Sequence, residues 1–184
     1  MSDASAAARF RSRWLPLVLS SLAVLWATAV VLIPFHAGSR SSQPSPLITA
    51  AVYATGALIC HQRPERSFHA GAARLPVCAR CTGLYLSGAC GALAGWLSVA
   101  AIPRRTRLVL IAAALPTAVT WIVEWSGLAQ VGNVARAVAA LPLGGVTGWL
   151  FIRMLRAGGV VHMRYDPVTY GHEIHRSREG PSRF

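Results

Sequence analysis

The chain alternates long apolar stretches with short polar segments rich in arginine, glycine and proline. Four of those stretches reach the length of about 20 helical residues that a bilayer crossing needs. They cover residues 14–35, 82–102, 108–128 and 134–155. A fifth, residues 47–60, is shorter and follows the turn-forming run Ser41-Ser42-Gln43-Pro44-Ser45-Pro46. So short a run suits an interfacial or re-entrant helix. The pattern therefore predicts an all-α integral membrane protein, with four transmembrane helices plus one short interfacial or re-entrant helix. Residues 1–13 read as a cytoplasmic N-terminal segment and 14–155 as a single membrane domain. A Cys/His loop at 60–82 interrupts that domain, and residues 157–184 read as a polar, flexible C-terminal tail.

Arg9, Arg11 and Arg13 precede the first stretch, as in a secretory signal peptide. The stretch is longer than a normal signal core, however, and Phe35-His36-Ala37 is a poor cleavage site, so a retained anchor is expected. In the second stretch Gly83, Ser87, Gly91 and Gly95 recur every four residues, and in the fourth Ala140, Gly144 and Gly148 do the same. Small residues at that spacing let helix backbones approach closely, so these two helices are expected to touch. Pro116 and Pro142 are expected to kink the third and fourth spans.

Composition sharpens this picture. The chain of 184 residues is 54% hydrophobic and 13% charged, with a mean hydropathy of +0.46 and a formal net charge of +12. All 18 basic residues are arginine. A disordered basic tail would be polar throughout, and a soluble domain would not concentrate apolar residues in runs of this length. A nucleic-acid module would gather its cations on one face, whereas these punctuate the apolar runs, so lipid is the expected partner and nucleic acid is not. Cytoplasmic loops carry the excess of arginine. With four spans and the N-terminus inside, 12 arginines fall on the cytoplasmic side and six outside. A crossing at 47–60 would reduce the asymmetry to ten against eight. The expected location is the cell membrane, multi-pass, with both termini cytoplasmic.

The concentrated chemistry lies in Cys60-His61-Gln62-Arg63-Pro64-Glu65-Arg66-Ser67-Phe68-His69 and Cys78-Ala79-Arg80-Cys81. Three of the four cysteines and two of the six histidines fall between Cys60 and Cys81. Three uses are open. The two sulfurs of Cys78-x-x-Cys81 can reach one metal ion, Cys60 can add a third, and His61 or His69 can complete a tetrahedral set suited to Zn²⁺. The negative cluster so formed would sit among Arg63, Arg66, Arg74 and Arg80. Alternatively, Cys78 and Cys81 precede a helix whose N-terminal dipole favours a thiolate, as in a membrane thiol–disulfide oxidoreductase. Quinone-coupled disulfide-forming enzymes share that layout but carry a second cysteine pair. The third use is a structural disulfide on an oxidising face. Cys90, two and a half turns beyond Cys81, is expected to be a small core residue.

Cys60-His61-Gln62, Arg66-Ser67-Phe68 and Pro76-Val77-Cys78-Ala79-Arg80-Cys81-Thr82-Gly83-Leu84-Tyr85 together resemble the bacterial and archaeal predicted membrane proteins grouped as domain of unknown function 2085. The resemblance is dense from Cys60 to Tyr85 and extends from about Leu47 to Leu155. It implies membrane residence and a central role for the Cys/His loop, without a reaction. It also implies an acidic residue four positions after the proline of the third span, where this chain has Thr120, with Glu124 one turn on. The family's downstream Asn-x-x-Arg corresponds to Asn133 and Arg136. The displaced acid counts against a proton or ion path.

Glu124, about 6 Å inside the outer end of its span at about 1.5 Å per residue, is expected to pair with Arg136. Two readings follow: an ion pair that snorkels to water, or a functional acid serving as proton acceptor or extra metal ligand. Trp121 and Trp125 fit the outer aromatic belt and Trp14 the inner one. His172-Glu173-Ile174-His175 misses the metalloprotease spacing by one residue. His162 and His175 fall on the expected solvated tail, and His36 is expected in an outer loop. Three function classes remain: a non-enzymatic metal-holding membrane protein, the oxidoreductase, and a small transporter or channel. Four short spans enclose little space, so transport would require a homo-oligomer.

Overall fold

The computed structural model describes the backbone of residues 2–37, 45–99 and 102–161, and the side chains of residues 14–36, 45–99 and 102–157. Among these are five α-helices: α1 (Ser2–Ala37), α2 (Pro46–Ile59), α3 (Ala79–Leu97), α4 (Thr106–Trp125) and α5 (Asn133–Val161). Between α2 and α3 lie a short 3₁₀ turn, Pro64–Arg66, and an antiparallel ribbon of β1 (His69–Ala70) and β2 (Ala73–Arg74). Trp14–His36, Thr106–Trp125 and Asn133–Ala157 are each long and apolar enough to cross a membrane. Their large apolar side chains face outward at Leu22, Leu25, Ile111, Val119 and Phe151. A surface of that kind requires lipid, since in water it would drive association.

Several boundaries differ from the sequence-based expectation, among them those of α4, which runs 106–125 where 108–128 was expected. The helix expected at 82–102 is α3, which starts earlier and ends at Leu97. It is not among the three helices apolar enough to cross. Its first turn holds Arg80, and four glycines dilute its apolar character. α1 begins at Ser2, so residues 2–13 are helical backbone, and His36 lies in its last turn instead of a loop. α5 runs to Val161, past the expected start of the tail at 157; His162, His172 and His175 lie outside the described residues. Pro116 and Pro142 both sit inside continuous helices.

The core is the seam between α3 and α5, where the small-residue ridges meet as expected. A Cβ on Gly83 would strike the Ala137 carbonyl, one on Gly91 the Gly145 carbonyl, and one on Gly148 the Gly88 carbonyl. Backbones this close gain dispersion contacts along their whole length, which lipid cannot supply between helices. Two arginines of α5 seal the C-terminal end of α3. Arg153 donates to the Ser98 carbonyl at 2.7 Å, and Arg156 donates to the Gly95 and Trp96 carbonyls at 2.9 Å each. They satisfy the orphan acceptors at the α3 C-terminus. Arg156 also lies 4.8 Å over the Trp96 ring, whose indole N–H donates to Ser20 of α1 at 2.8 Å. Cys90 is exposed on α3, which corrects its expected place in the core. Gly91 and Gly95 take the buried face beside it, so position 90 turns away from α5.

Candidate metal centre

The loop between α2 and α3 is shaped so that its two ends meet. α2 starts with Pro46, whose fixed φ suits the first helical position. It stops where Cys60 turns extended, at φ −144°, while the Cys60 amide still donates to Gly56 at 2.9 Å. Gly56 is buried against the Pro76 carbonyl, and a Cβ there would collide with it. Gln62 takes a left-handed backbone, φ 46°, at a cost of about 1 kcal/mol for a residue with a Cβ. Three hydrogen bonds hold it there. Its side-chain amide donates to the Tyr53 carbonyl at 2.9 Å and to the Pro76 carbonyl at 2.7 Å, and Arg74 donates to its carbonyl at 3.0 Å. The β1–β2 ribbon turns at Gly71, φ 62°, and Leu75 donates back to the Phe68 carbonyl at 2.9 Å. Tyr53 of α2 clasps the ribbon by donating to the Arg74 carbonyl. Leu75, Pro76 and Val77 are buried beneath it.

This path returns Cys78 to Cys60. The Cys78 amide donates to Cys60 Sγ at 3.2 Å. The sulfurs of Cys60, Cys78 and Cys81 all lie within 4.8 Å of one another and are partly buried. Cys78 caps α3, and Cys81 lies one turn into the helix. The Cys78 thiol is pulled down to about 5, chiefly by a hydrogen bond from the Cys81 thiol. Donation from the Cys81 and Arg80 amides and from the Cys60 thiol adds to it, and burial opposes it. A sulfur surrounded by donors holds negative charge, which is the state that binds a soft cation. His61 and His69 are exposed and outside the trio, and Glu124 lies outside it too.

Glu124 and Arg136 do pair, as expected, and their side chains are only 6% and 8% exposed, although Arg136 also lines a polar cavity. Arg80 joins them, donating to the second Glu124 oxygen at 2.7 Å and reaching Thr120 Oγ1 at 3.5 Å. Arg136 donates to Asn133 Oδ1 at 2.7 Å, and Asn133 Nδ2 donates to the Ser67 carbonyl at 3.2 Å. A continuous network thus ties the loop, α3, α4 and α5 together. The sequence placed Arg80 beside the cysteines as a counter-charge; the structure gives its guanidinium to Glu124 instead. Gln62 was not assigned a role from sequence. Its left-handed backbone is a property of the folded loop, and no neighbouring residue type announces it.

The family model described as "Predicted membrane protein (DUF2085)" matches residues 60–150, from Cys60 through most of α5. An uncharacterized protein of Methanothermobacter thermautotrophicus is 34% identical over 86 residues, which is 47% of this chain and 78% of that protein. An uncharacterized protein of Methanocaldococcus jannaschii is 30% identical over 135 residues, 70% of this chain and 83% of that protein. This chain belongs to that family. No solved structure matches it. The matched region begins at the first cysteine of the trio and includes Cys78, Cys81, Glu124, Asn133 and Arg136, so the family region contains both the cluster and the ion network. Here Arg80 reaches both Thr120 and Glu124, one turn further on, and forms its ion pair with Glu124.

Proposed function

We propose that this is a four-span protein of the cell membrane with both termini cytoplasmic, whose outer cysteine cluster holds a zinc-like ion. The observation that carries the reading is the convergence of the Cys60, Cys78 and Cys81 sulfurs within 4.8 Å. Zinc binds thiolates at about 2.3 Å in a tetrahedron, which sets neighbouring sulfurs about 3.8 Å apart, so the trio fits with small adjustments. The donor set is soft and low in proton affinity at Cys78. Three protein ligands leave the fourth position to solvent; His61, exposed beside Cys60, is the nearest imidazole in sequence. An ion here ties the end of α2 to the start of α3, so binding energy becomes folding energy for the loop. The role is structural or metal-handling. Four spans require α3 to cross, and its seam with α5 supports this, because α5 is itself a spanning-length helix.

A second reading, a thiol–disulfide oxidoreductase using Cys78 and Cys81, is favoured by the low Cys78 thiol at a helix N-terminus. One experiment separates the two. Protein purified in detergent without added metal is assayed for metal content and for free thiols, before and after chelation. The metal reading expects about one ion per chain, three thiols released by the chelator, loss of the ion in Cys60→Ser and its retention in Cys90→Ser. A metal-free protein with one disulfide would reject the metal reading in favour of a structural disulfide or the oxidoreductase, and normal folding with lost redox activity in Cys78→Ser would then select the oxidoreductase.

A further inference from the structure

Beside the ion network lies a polar cavity of about 490 Å³, lined by Glu65, Arg66, Gln130, Gly132, Asn133 and Arg136. Its chemistry is that of an anion site. The buried Arg136 gives Nε to Glu124 and Nη1 to Asn133, while Nη2 has no acceptor among the described residues and is not sealed from solvent. Arg66 makes no ion pair and no side-chain hydrogen bond among them. The start of α5 contributes further donors. The Asn133 side chain is engaged by Arg136 and Ser67, so it does not cap the helix. The first backbone bond there runs from Arg136 to the Gly132 carbonyl, leaving the amides of Asn133, Val134 and Ala135 without acceptors among the described residues.

Charge bookkeeping fixes the valence. Glu124 is offset by Arg80, which leaves Arg66 and Arg136 against Glu65 and an excess of one positive charge. A singly charged oxyanion balances the cavity and a doubly charged one does not. Depth fixes the source. Trp121 and Trp125, on the final turns of α4, stack at 6.0 Å with 4° between their planes and are 54% and 79% exposed. Such tryptophans mark the headgroup level of a membrane, and the cavity is lined by Gln130–Gly132 of the connection that follows α4, by the start of α5 and by Glu65 and Arg66 of the 3₁₀ turn.

We propose that this cavity binds a singly charged phosphate group, that of a phospholipid headgroup, between Arg66, Arg136 and the first amides of α5. The proposal does not depend on the metal reading. Arg66→Gln is the informative variant, because the Arg66 side chain has no partner among the described residues whose loss would unfold the chain. Full-length protein in detergent is titrated with a short-chain phosphatidylglycerol, with inorganic phosphate and with the matching short-chain diacylglycerol, read by ³¹P line broadening and by thermal shift. Saturable phosphatidylglycerol binding is expected, weakened about tenfold in Arg66→Gln and largely restored in Arg66→Lys, with no competition from diacylglycerol. Equal competition by inorganic phosphate would support the phosphate site while moving its source from lipid to solution. Undiminished binding in Arg66→Gln, equal binding of diacylglycerol, or no saturable binding at all would overturn it.

Discussion

Glu124 is the residue on which the interior depends most. It is the one carboxylate facing two guanidiniums, the half-buried Arg80 and the buried Arg136, among the described residues. In a low-dielectric setting the carboxylate's desolvation is offset only because both of its oxygens are engaged. Removing its charge leaves two like charges buried together, which costs more than the pair contributes when intact. Glu124→Gln is therefore expected to destabilise the protein by about 3 to 5 kcal/mol, read as a lower unfolding midpoint in detergent. Adding Arg80→Gln to it should recover part of the loss, because one uncompensated cation is removed. An unchanged midpoint in the single variant would show that water, and not Glu124, solvates the arginines. Gln62 works differently, exchanging a small backbone penalty for three hydrogen bonds that set where the loop returns.

Among the elements, the α3–α5 seam is decided by backbone proximity, and its glycines are not equivalent. A Cβ on Gly91 meets the Gly145 backbone, which cannot give way without separating the helices. A Cβ on Gly88 would have its nearest neighbour at 3.7 Å, an ordinary contact. Gly91→Ala is expected to cost about 1 to 3 kcal/mol through overpacking. Gly88→Ala should be neutral or stabilise by up to about 1 kcal/mol, because alanine favours helix. Thermal unfolding of the two variants side by side checks this; equal effects would mean that the seam is looser than described. The loop element follows a related logic, since a side chain at Gly56 would lift the Pro76 carbonyl and with it the Cys78 end of the cluster.

At the scale of the whole molecule, the open choice is between three and four crossings, and α3 decides it. If α3 crosses, the cysteine loop and Arg104 lie on opposite sides of the membrane; if it does not, they share a side. Tags placed in the β1–β2 turn, beside Arg104 and at the C-terminus are expected to read outside, inside and inside, respectively, by protease or impermeant-reagent access in intact cells. A tag beside Arg104 that reads outside would remove α3 as a span. The arginine distribution, 12 against six, gives the physical basis for the expected result.

Residues 14–36, 106–125 and 133–157 announce themselves because membrane insertion depends on apolar length, a property summed along the chain. The meeting of two small-residue ridges was equally legible, since four-residue spacing places side chains on one helix face whatever the partner. So was the pairing of Glu124 with Arg136, which follows from the rule that buried charges find opposite charges. The joining of Cys60 with Cys78 and Cys81 was expected from the sequence, but that His61, its neighbour, stays outside the trio was not. Nor could the sequence say that Arg80 serves Glu124, or that Cys90 faces outward. Those outcomes depend on where a loop closes and how a helix is rotated. Both are set by contacts between residues far apart in the chain, such as Gln62 with Pro76 and Gly91 with Gly145, and only the packed structure brings those partners together.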